Sequence, residues 1–427
     1  MNFSYVGQPH FLELLKGASK MSVRTYTTTD KSWTEIDFKV TKANIKKLQK
    51  RIAKAYKEGC FGKVNALQHR LIHSKEAKAL AIYTVTTNKG KSTPGVDNVL
   101  WITPEEKWMA ISTLKRRGYN SKPLRRVYIT KSNGRKRPLS LPTMRDRAMQ
   151  TLYKLVLEPI AEVTADTHSY GFRAHRSTRD AIERCVDVLS ENPNNCWIFE
   201  GDIKACFDNI SHEWILENIP IDKPTLRKFL ESGFIESNNW NPTDRGIPQG
   251  SSISTVICNM VLDGLEKEVT ENSNTYFIRY ADDFIIVGTS KKFLNQSIKP
   301  KIHKFLAKRG LKLSTEKTQI THIKDGFDFL GWNVRRDRKQ ILIVPSKRNH
   351  YSILEKISKV IRDNCNATQE QLCYALEQRV VGWIQYHKGI VTDAALHRAE
   401  NDIISCVWNL SKDNRLVERI RSFFSEL

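Results

Sequence analysis

From Trp33 to about Val85 the apolar positions recur at three- and four-residue steps: Ile45, Leu48 and Ile52, then Val64, Leu67, Leu71 and Ile72, with lysines and arginines between them. That spacing puts one apolar stripe on each of several helices. Residues 1–32 mix Gly, Ser and Thr without a period and read as a poorly ordered leader. The turn-rich run Thr86 to Asp97 follows, then a short helix from Glu105 to Lys115. Next, Arg126 to Lys131 alternates like a strand, Ser132-Asn133-Gly134-Arg135 reads as a turn, and Lys136-Arg137-Pro138-Leu139 starts a return strand. Helices are expected from Asp146 to about Glu162 and from Ser177 to about Ser190. Ser177 would be the N-cap of the second, with Asp180 closing a capping box. The pattern then changes. Cys196 to Ile203 reads as a buried strand ending in Asp202, and Thr275 to Gly288 as two apolar strands joined by a tight turn that carries Asp282 and Asp283.

Charge narrows the functional classes. The 427 residues hold 69 Lys and Arg against 46 Asp and Glu, a formal net charge of +23. Such a surplus repels itself unless a polyanion neutralises it. No stretch approaches the ~20 apolar residues that span a bilayer, and the N-terminus lacks a secretory h-region. Nucleic acid in the cytoplasm is therefore the expected partner, with no membrane. The segment Lys115 to Arg137 concentrates ten basic residues with no acidic one, so the hairpin can clamp phosphates. The eight cysteines show neither a C-x-x-C pair nor zinc spacing, and read as free buried thiols in a reducing compartment.

Against that basic background the strand-end carboxylates stand out. Asp202, Asp282 and Asp283 would cost desolvation free energy at the tips of apolar strands unless a cation held them. Three aspartates converging on one sheet edge suit two Mg²⁺ ions, with Mn²⁺ as a substitute. Such a pair, ~3.5–4 Å apart, supports nucleotidyl transfer.

The order of motifs resembles the bacterial group II intron-type reverse transcriptases, from about Trp33 to Tyr386. Tyr280-Ala281-Asp282-Asp283 resembles the polymerase YADD box, Asp202 to Asp208 the first palm aspartate motif, and Arg245 to Ser251 the PQG motif. Gly310 to Thr318 resembles the following palm motif, Phe329-Leu330-Gly331-Trp332 the primer-grip turn, and Gly382 to Tyr386 the thumb or maturase signature. Gly90 to Asp97 is similar to the fingers extension.

The resemblance implies an α+β right-hand polymerase: leader 1–32, helical N-terminal extension 33–100, fingers 101–195, palm 196–345 and a helical thumb, a truncated maturase-like region, 346–427. It implies that Asp202 and Asp282 ligate both metals, with Asp283 and the backbone carbonyl of Ile203 assisting. Phe207 falls where the family has an aromatic steric gate against ribonucleotides. Lys131 and Arg137 match the triphosphate-holding residues, and Gln249 would touch the incoming sugar or base. Lys317 could protonate the leaving pyrophosphate, with Lys312 its rival. Arg125, Arg126, Arg173, Gly331 and Trp332 are expected at the nucleic acid.

Two departures matter. Where the family continues the PQG motif with Gly and a Ser-Pro-Leu-Leu-Ala-Asn run, this chain has Ser251, Ser252 and then Ser254 to Asn259. After Tyr386 only 41 residues remain, which implies neither an added DNA-binding region nor an endonuclease, and so no retrohoming on its own. The expected activity is RNA-templated DNA synthesis from a primer and dNTPs. The expected setting is bacterial antiphage defence that copies a dedicated structured noncoding RNA; the alternative is a group II intron maturase, an RNA-binding splicing cofactor.

Overall fold

The computed structural model describes residues 32–425, apart from 131–133, 135, 193, 272, 339 and 365. The leader 1–31, the tip of the basic hairpin with Lys131, and Cys365 lie outside the described residues. Among the described residues, a 3-10 turn at Trp33–Glu35 leads into three α-helices, Phe38–Lys57, Phe61–His73 and Lys75–Thr87. They bury the periodic positions Ile45, Ile52, Val64, Leu67, Leu71 and Ile72. Asp37 and Ser74 cap two of them by accepting from backbone N–H groups of the first turn. The first and third helices pack on a 21-residue helix, Met144–Thr164, that is buried at most of its positions.

The turn-rich segment after the third helix is tied to that long helix by Arg147. This guanidinium, 8% exposed, donates to the carbonyls of Gly90 (2.9 Å), Thr93 (2.7 Å) and Pro142 (2.9 Å). Gly95 passes so close that a β-carbon would sit 2.6 Å from Thr143 Cα, which explains a glycine there.

Three sheets follow. Strands β1 (Leu124–Thr130) and β2 (Lys136–Leu141) form the expected basic hairpin, with Thr130 opposite Lys136. The remaining strands are β3 (Trp197–Asp202), β4 (Phe234–Glu236), β5 (Asn239–Asn241), β6 (Tyr276–Tyr280), β7 (Asp283–Gly288), β8 (Gln319–His322), β9 (Phe327–Phe329), β10 (Trp332–Asp337) and β11 (Gln340–Pro345). The central sheet runs β6-β7-β3-β8, the hairpin sheet β2-β1-β4-β5 and the third β11-β10-β9.

Both faces of the central sheet are covered. Phe199, Phe277, Phe284 and Ile286 point into the core shared with the N-terminal and long helices. Their neighbours Ile198, Ile278, Ile285 and Val287 point into a second core with Ile182, Cys185 and Leu189 of the Thr178–Glu191 helix. Period-two alternation thus becomes a continuous apolar run, because each face has its own partner layer. Ser177 and Asp180 cap that helix reciprocally, as expected from the sequence.

The layers cross the segment boundaries expected from the sequence. Strands β4 and β5, from within 196–345, complete the hairpin sheet through a parallel pairing of Leu124 with Phe234. The Thr178–Glu191 helix, from within 101–195, packs under the central sheet. Four helices, Lys347–Asp363, Gln369–His387, Asp393–Ser411 and Asn414–Ser425, close the chain around their own core, which includes Ile357, Val380, Ile403 and Ile420. Ser346 caps the first of them.

The cysteines hold no disulfide among the described residues. Cys185, Cys206 and Cys258 are buried as expected, but Cys60 is exposed and Cys196, Cys373 and Cys406 are half-buried.

Beneath β6, Arg279 is fully buried. It donates to Asp263 Oδ1 (2.5 Å), Asn259 Oδ1 (3.2 Å) and the Ala281 carbonyl (3.3 Å), with Asp166 at 3.8 Å. Desolvation, and then the neighbouring negative charge of Asp166, push Asp263 up to about 7 against the pull of Arg279. Removing the cation would leave two buried carboxylates uncompensated. Arg279→Leu is expected to cost about 3–5 kcal/mol, read as the loss of unfolding free energy in urea titrations followed by circular dichroism.

Candidate active site and nucleic-acid cleft

The register of β3 against β7 sets Asp202 directly opposite Asp283, and Tyr280 opposite Asp283 leaves Ala281 and Asp282 as the two-residue turn. Such turns need a left-handed residue to match the strand twist, and Ala281 supplies it at φ 57°. An alanine in that region costs about 1–2 kcal/mol. The turn is braced by the Arg279 guanidinium on the Ala281 carbonyl and by Gly171, where a β-carbon would lie 2.3 Å from Ala281 N. Next to Asp202 at the same end of β3, Gly201 faces the Phe284 ring so closely that a β-carbon would meet it at 2.2 Å.

The three aspartates therefore meet at one lip of a sheet buried on both faces. Desolvation, with Asp202 as a nearby negative charge, raises Asp282; desolvation, then Asp282 and Asp202, push Asp283 up to about 6. Among the described residues, no group of three or more His, Cys, Asp or Glu side chains is already gathered as a metal cage. The charge at this lip is met instead by Lys317, whose Nζ donates to both oxygens of Asp202 at 2.9 and 3.1 Å. Chain pairing carries it there: Ser314 N donates to the Asp202 carbonyl, Lys204 N to that of Lys312, and Ile203 bridges Leu313. Mutually repelling carboxylates that draw in an ammonium are a donor set that fits hard divalent cations. Ile203, with its side chain 2% exposed, could serve such an ion only through its carbonyl.

Phe207 lies on the short helix Cys206–Asn209 beside this lip, half-buried, with Phe172 edge-on to it at 6.3 Å. Arg137 of β2 reaches the same helix through Gln249: Arg137 Nε donates to Gln249 Oε1 at 2.7 Å, and Gln249 Nε2 to Asp208 Oδ1 at 3.0 Å. Arg126 lies over the Phe234 ring at 3.7 Å, and Arg125, half-buried, pairs across β1 with Leu141.

Two expected contacts are corrected. Arg173 spends its donors inside the protein, on both oxygens of Glu162 and on the carbonyls of Asp166 and Ser169, so it braces the 166–173 loop instead of offering itself to phosphate. Trp332 is fully buried and stacked at 4.5 Å on Tyr386, so its indole supports the turn from below and does not face nucleic acid. The turn itself, Leu330 and Gly331 with φ of 51° and 88°, connects the pair Phe329–Trp332 as a type I′ hairpin.

That turn forms one wall of a cleft of about 680 Å³ whose other wall is the terminal helices, with Arg348, Asn349, Lys356, Gln378 and Arg379 along it. Their gathering opposite Gly331 is tertiary, and the signal in the sequence is only the recurrence of Arg348 and Lys356 at a helical interval.

A buried-sheet lip with three carboxylates, a cationic hairpin linked through Gln249 to the helix next to it, and a polar cleft walled by the terminal helices are the features of a template-directed polymerase of the right-hand class. Residues 129–334 match the family model described as reverse transcriptase (RNA-dependent DNA polymerase). Residues 33–114 match the N-terminal domain of reverse transcriptase, and 350–421 the group II intron maturase-specific domain. Protein YkfC of Escherichia coli K12 is 30% identical over 317 residues, 64% of this chain and 83% of its own length. The group II intron-encoded protein LtrA of Lactococcus lactis is 29% identical over 328 residues, 60% of this chain and 54% of its own length, so the chain spans about half of that relative. Maturase-like protein 1 of Euglena longa is 26% identical over 80% of this chain and 75% of its own. Among solved structures, apo telomerase from Candida tropicalis aligns at a TM-score of 0.44 with 11% identity, covering 73% of this chain and 67% of that one. The chain belongs to the reverse transcriptases of the group II intron type.

Two outcomes are expected. Asp283 binds its proton more tightly folded than unfolded, where a carboxyl titrates near ~3.9. Its ionisation thus opposes folding in full above about 6, and the penalty is relieved as pH falls towards the unfolded value. In chelator, Asp283→Asn should melt higher than wild type at pH 8, and the gain should vanish by about pH 4. Separately, Arg348→Ala, Lys356→Ala and Arg379→Ala should each weaken binding of an RNA–DNA duplex irrespective of sequence. Each should flatten the plot of log affinity against log salt by up to about one unit, measured by fluorescence anisotropy.

Proposed function

We propose that the protein synthesises DNA on an RNA template, extending a primer with dNTPs. The observation that carries this reading is the convergence of Asp202, Asp282 and Asp283 on one sheet lip, within reach of Arg137 and Lys317. Asp202, Asp282, Asp283 and the carbonyl of Ile203 would hold two Mg²⁺ ions, or Mn²⁺. When bound, these supply activation of the attacking hydroxyl and stabilisation of the leaving group.

The chain's own residues bind and orient. Arg137, with Lys131, grips the triphosphate of the incoming nucleotide through charge-assisted hydrogen bonds. Phe207 fills the space of a 2′-hydroxyl and selects dNTPs. Lys317, already at the carboxylate lip, delivers its Nζ proton to pyrophosphate. The template–primer duplex lies in the cleft between the Leu330–Gly331 turn and the terminal helices, contacted through its backbone, while Arg125 and Arg126 meet the template on the hairpin sheet.

The RNA partner admits two settings. The match of 350–421 to the maturase-specific domain favours a group II intron RNA, folded by the protein as a splicing cofactor. Antiphage defence with a dedicated structured noncoding RNA rests on the sequence reading alone. Sequencing the RNA and DNA that co-purify separates them: intron RNA without cDNA supports the maturase, and a noncoding RNA with its cDNA supports defence. No helix among the described residues is long and apolar enough to cross a membrane.

The activity has a direct test in primer extension on an RNA template. Asp282→Ala/Asp283→Ala should lose at least about a hundredfold in incorporation, the scale on which preorganised electrostatic groups act. Equal incorporation by the variant and wild type would end this reading.

A further inference from the structure

We infer that Asp208 is a positioning residue that sets the nucleotide grip of Arg137 by fixing the orientation of the Gln249 amide, an inference that rests on the polymerase reading above. A glutamine amide can face either way, offering an acceptor oxygen or a donor nitrogen. Here its two ends meet groups of opposite demand. The Asp208 carboxylate accepts from Gln249 Nε2 at 3.0 Å, and the Arg137 guanidinium donates from Nε to Gln249 Oε1 at 2.7 Å. Flipping the amide would set donor against donor at Arg137 and acceptor against acceptor at Asp208. The carboxylate thereby dictates which atom Arg137 meets.

The backbone keeps the three groups in line. Ile247 N donates to the Phe207 carbonyl and Gly246 N to that of Ile210, both at 2.7 Å, while Ser140 N of β2 donates to the Gln249 carbonyl at 2.9 Å. Gly246, at φ 80°, packs so closely on Asp208 that a β-carbon would lie 2.7 Å from its carbonyl oxygen. The 246–249 segment is thus stitched on one side to the helix carrying Phe207 and Asp208, and on the other to the strand carrying Arg137. Among the described residues Asp208 makes no ion pair, so its charge acts on this amide. With the amide fixed, Arg137 is held by one nitrogen, and among the described residues its two terminal nitrogens remain to meet phosphate.

Steady-state primer extension with varied dNTP tests this. Asp208→Ala should raise the dNTP KM about tenfold, the loss of one charge-assisted hydrogen bond, with kcat within about twofold. Asp208→Asn, whose amide oxygen still accepts, should recover KM to within about threefold of wild type. In a Gln249→Ala background, Asp208→Ala should add nothing further, because the amide through which it acts is gone. An unchanged KM in Asp208→Ala, an equal fall in kcat, or full additivity with Gln249→Ala would each overturn the role. A wild-type protein that incorporates no nucleotide would instead remove the polymerase reading itself.

Discussion

The structure depends on one register. With Asp202 opposite Asp283, β3 and β7 lie between two apolar layers, and a slip of one residue would turn Ile198, Ile285 and Val287 into the layer built for Phe199, Phe284 and Ile286. Gly201 tightens the constraint, since the Phe284 ring fills the place where any side chain would go. Burial on both faces makes the register unforgiving, and the register places the carboxylates. The site is a consequence of packing that occurs behind it.

The same arrangement concentrates negative charge in a strongly basic chain. Carboxylates at the lip lose hydration and, less strongly, repel one another, which pushes the titration of Asp282 and Asp283 up. The surrounding cations are then not interchangeable. Arg279 neutralises the buried pair beneath the hairpin and holds the Ala281 turn, Lys317 sits on Asp202, and Arg137 stands off on the hairpin sheet, tied to Gln249. The net charge of +23 conceals these separate places, one beneath the hairpin, one at the carboxylate lip and one on the hairpin sheet. The cleft cations Arg348, Lys356 and Arg379 add a fourth, along the path proposed for the duplex backbone.

Much of the fold was legible because local physics agrees with the tertiary result. The apolar stripes on the N-terminal helices, the Ser177 capping box, the β1–β2 hairpin and the strand–turn–strand around Asp282 all form where their patterns place them. Less legible was which layer each element joins. Strands β4 and β5 are three residues each, too short to carry a period; β4 finds β1 through a parallel pairing across more than a hundred residues, and β5 follows antiparallel to β4. Arg173 and Trp332 show the limit on the site itself. The resemblance suggested contact with nucleic acid, whereas Glu162 and Tyr386, partners that no spacing announces, claim their side chains.

The amino-acid sequence by itself determined the elements, the family and the three aspartates, because these rest on short-range periodicity and on motifs whose residues are adjacent in the chain. Tertiary structure alone decided how those motifs meet. It set Asp202 against Asp283, brought Lys317 across to Asp202, drew Gln249 between Asp208 and Arg137, and faced the Gly331 turn with the cations of the terminal helices. The physical reason is the same in each case. A hydrogen bond or ion pair between residues tens to hundreds of positions apart exists only once the apolar layers have closed and fixed the distance between their ends.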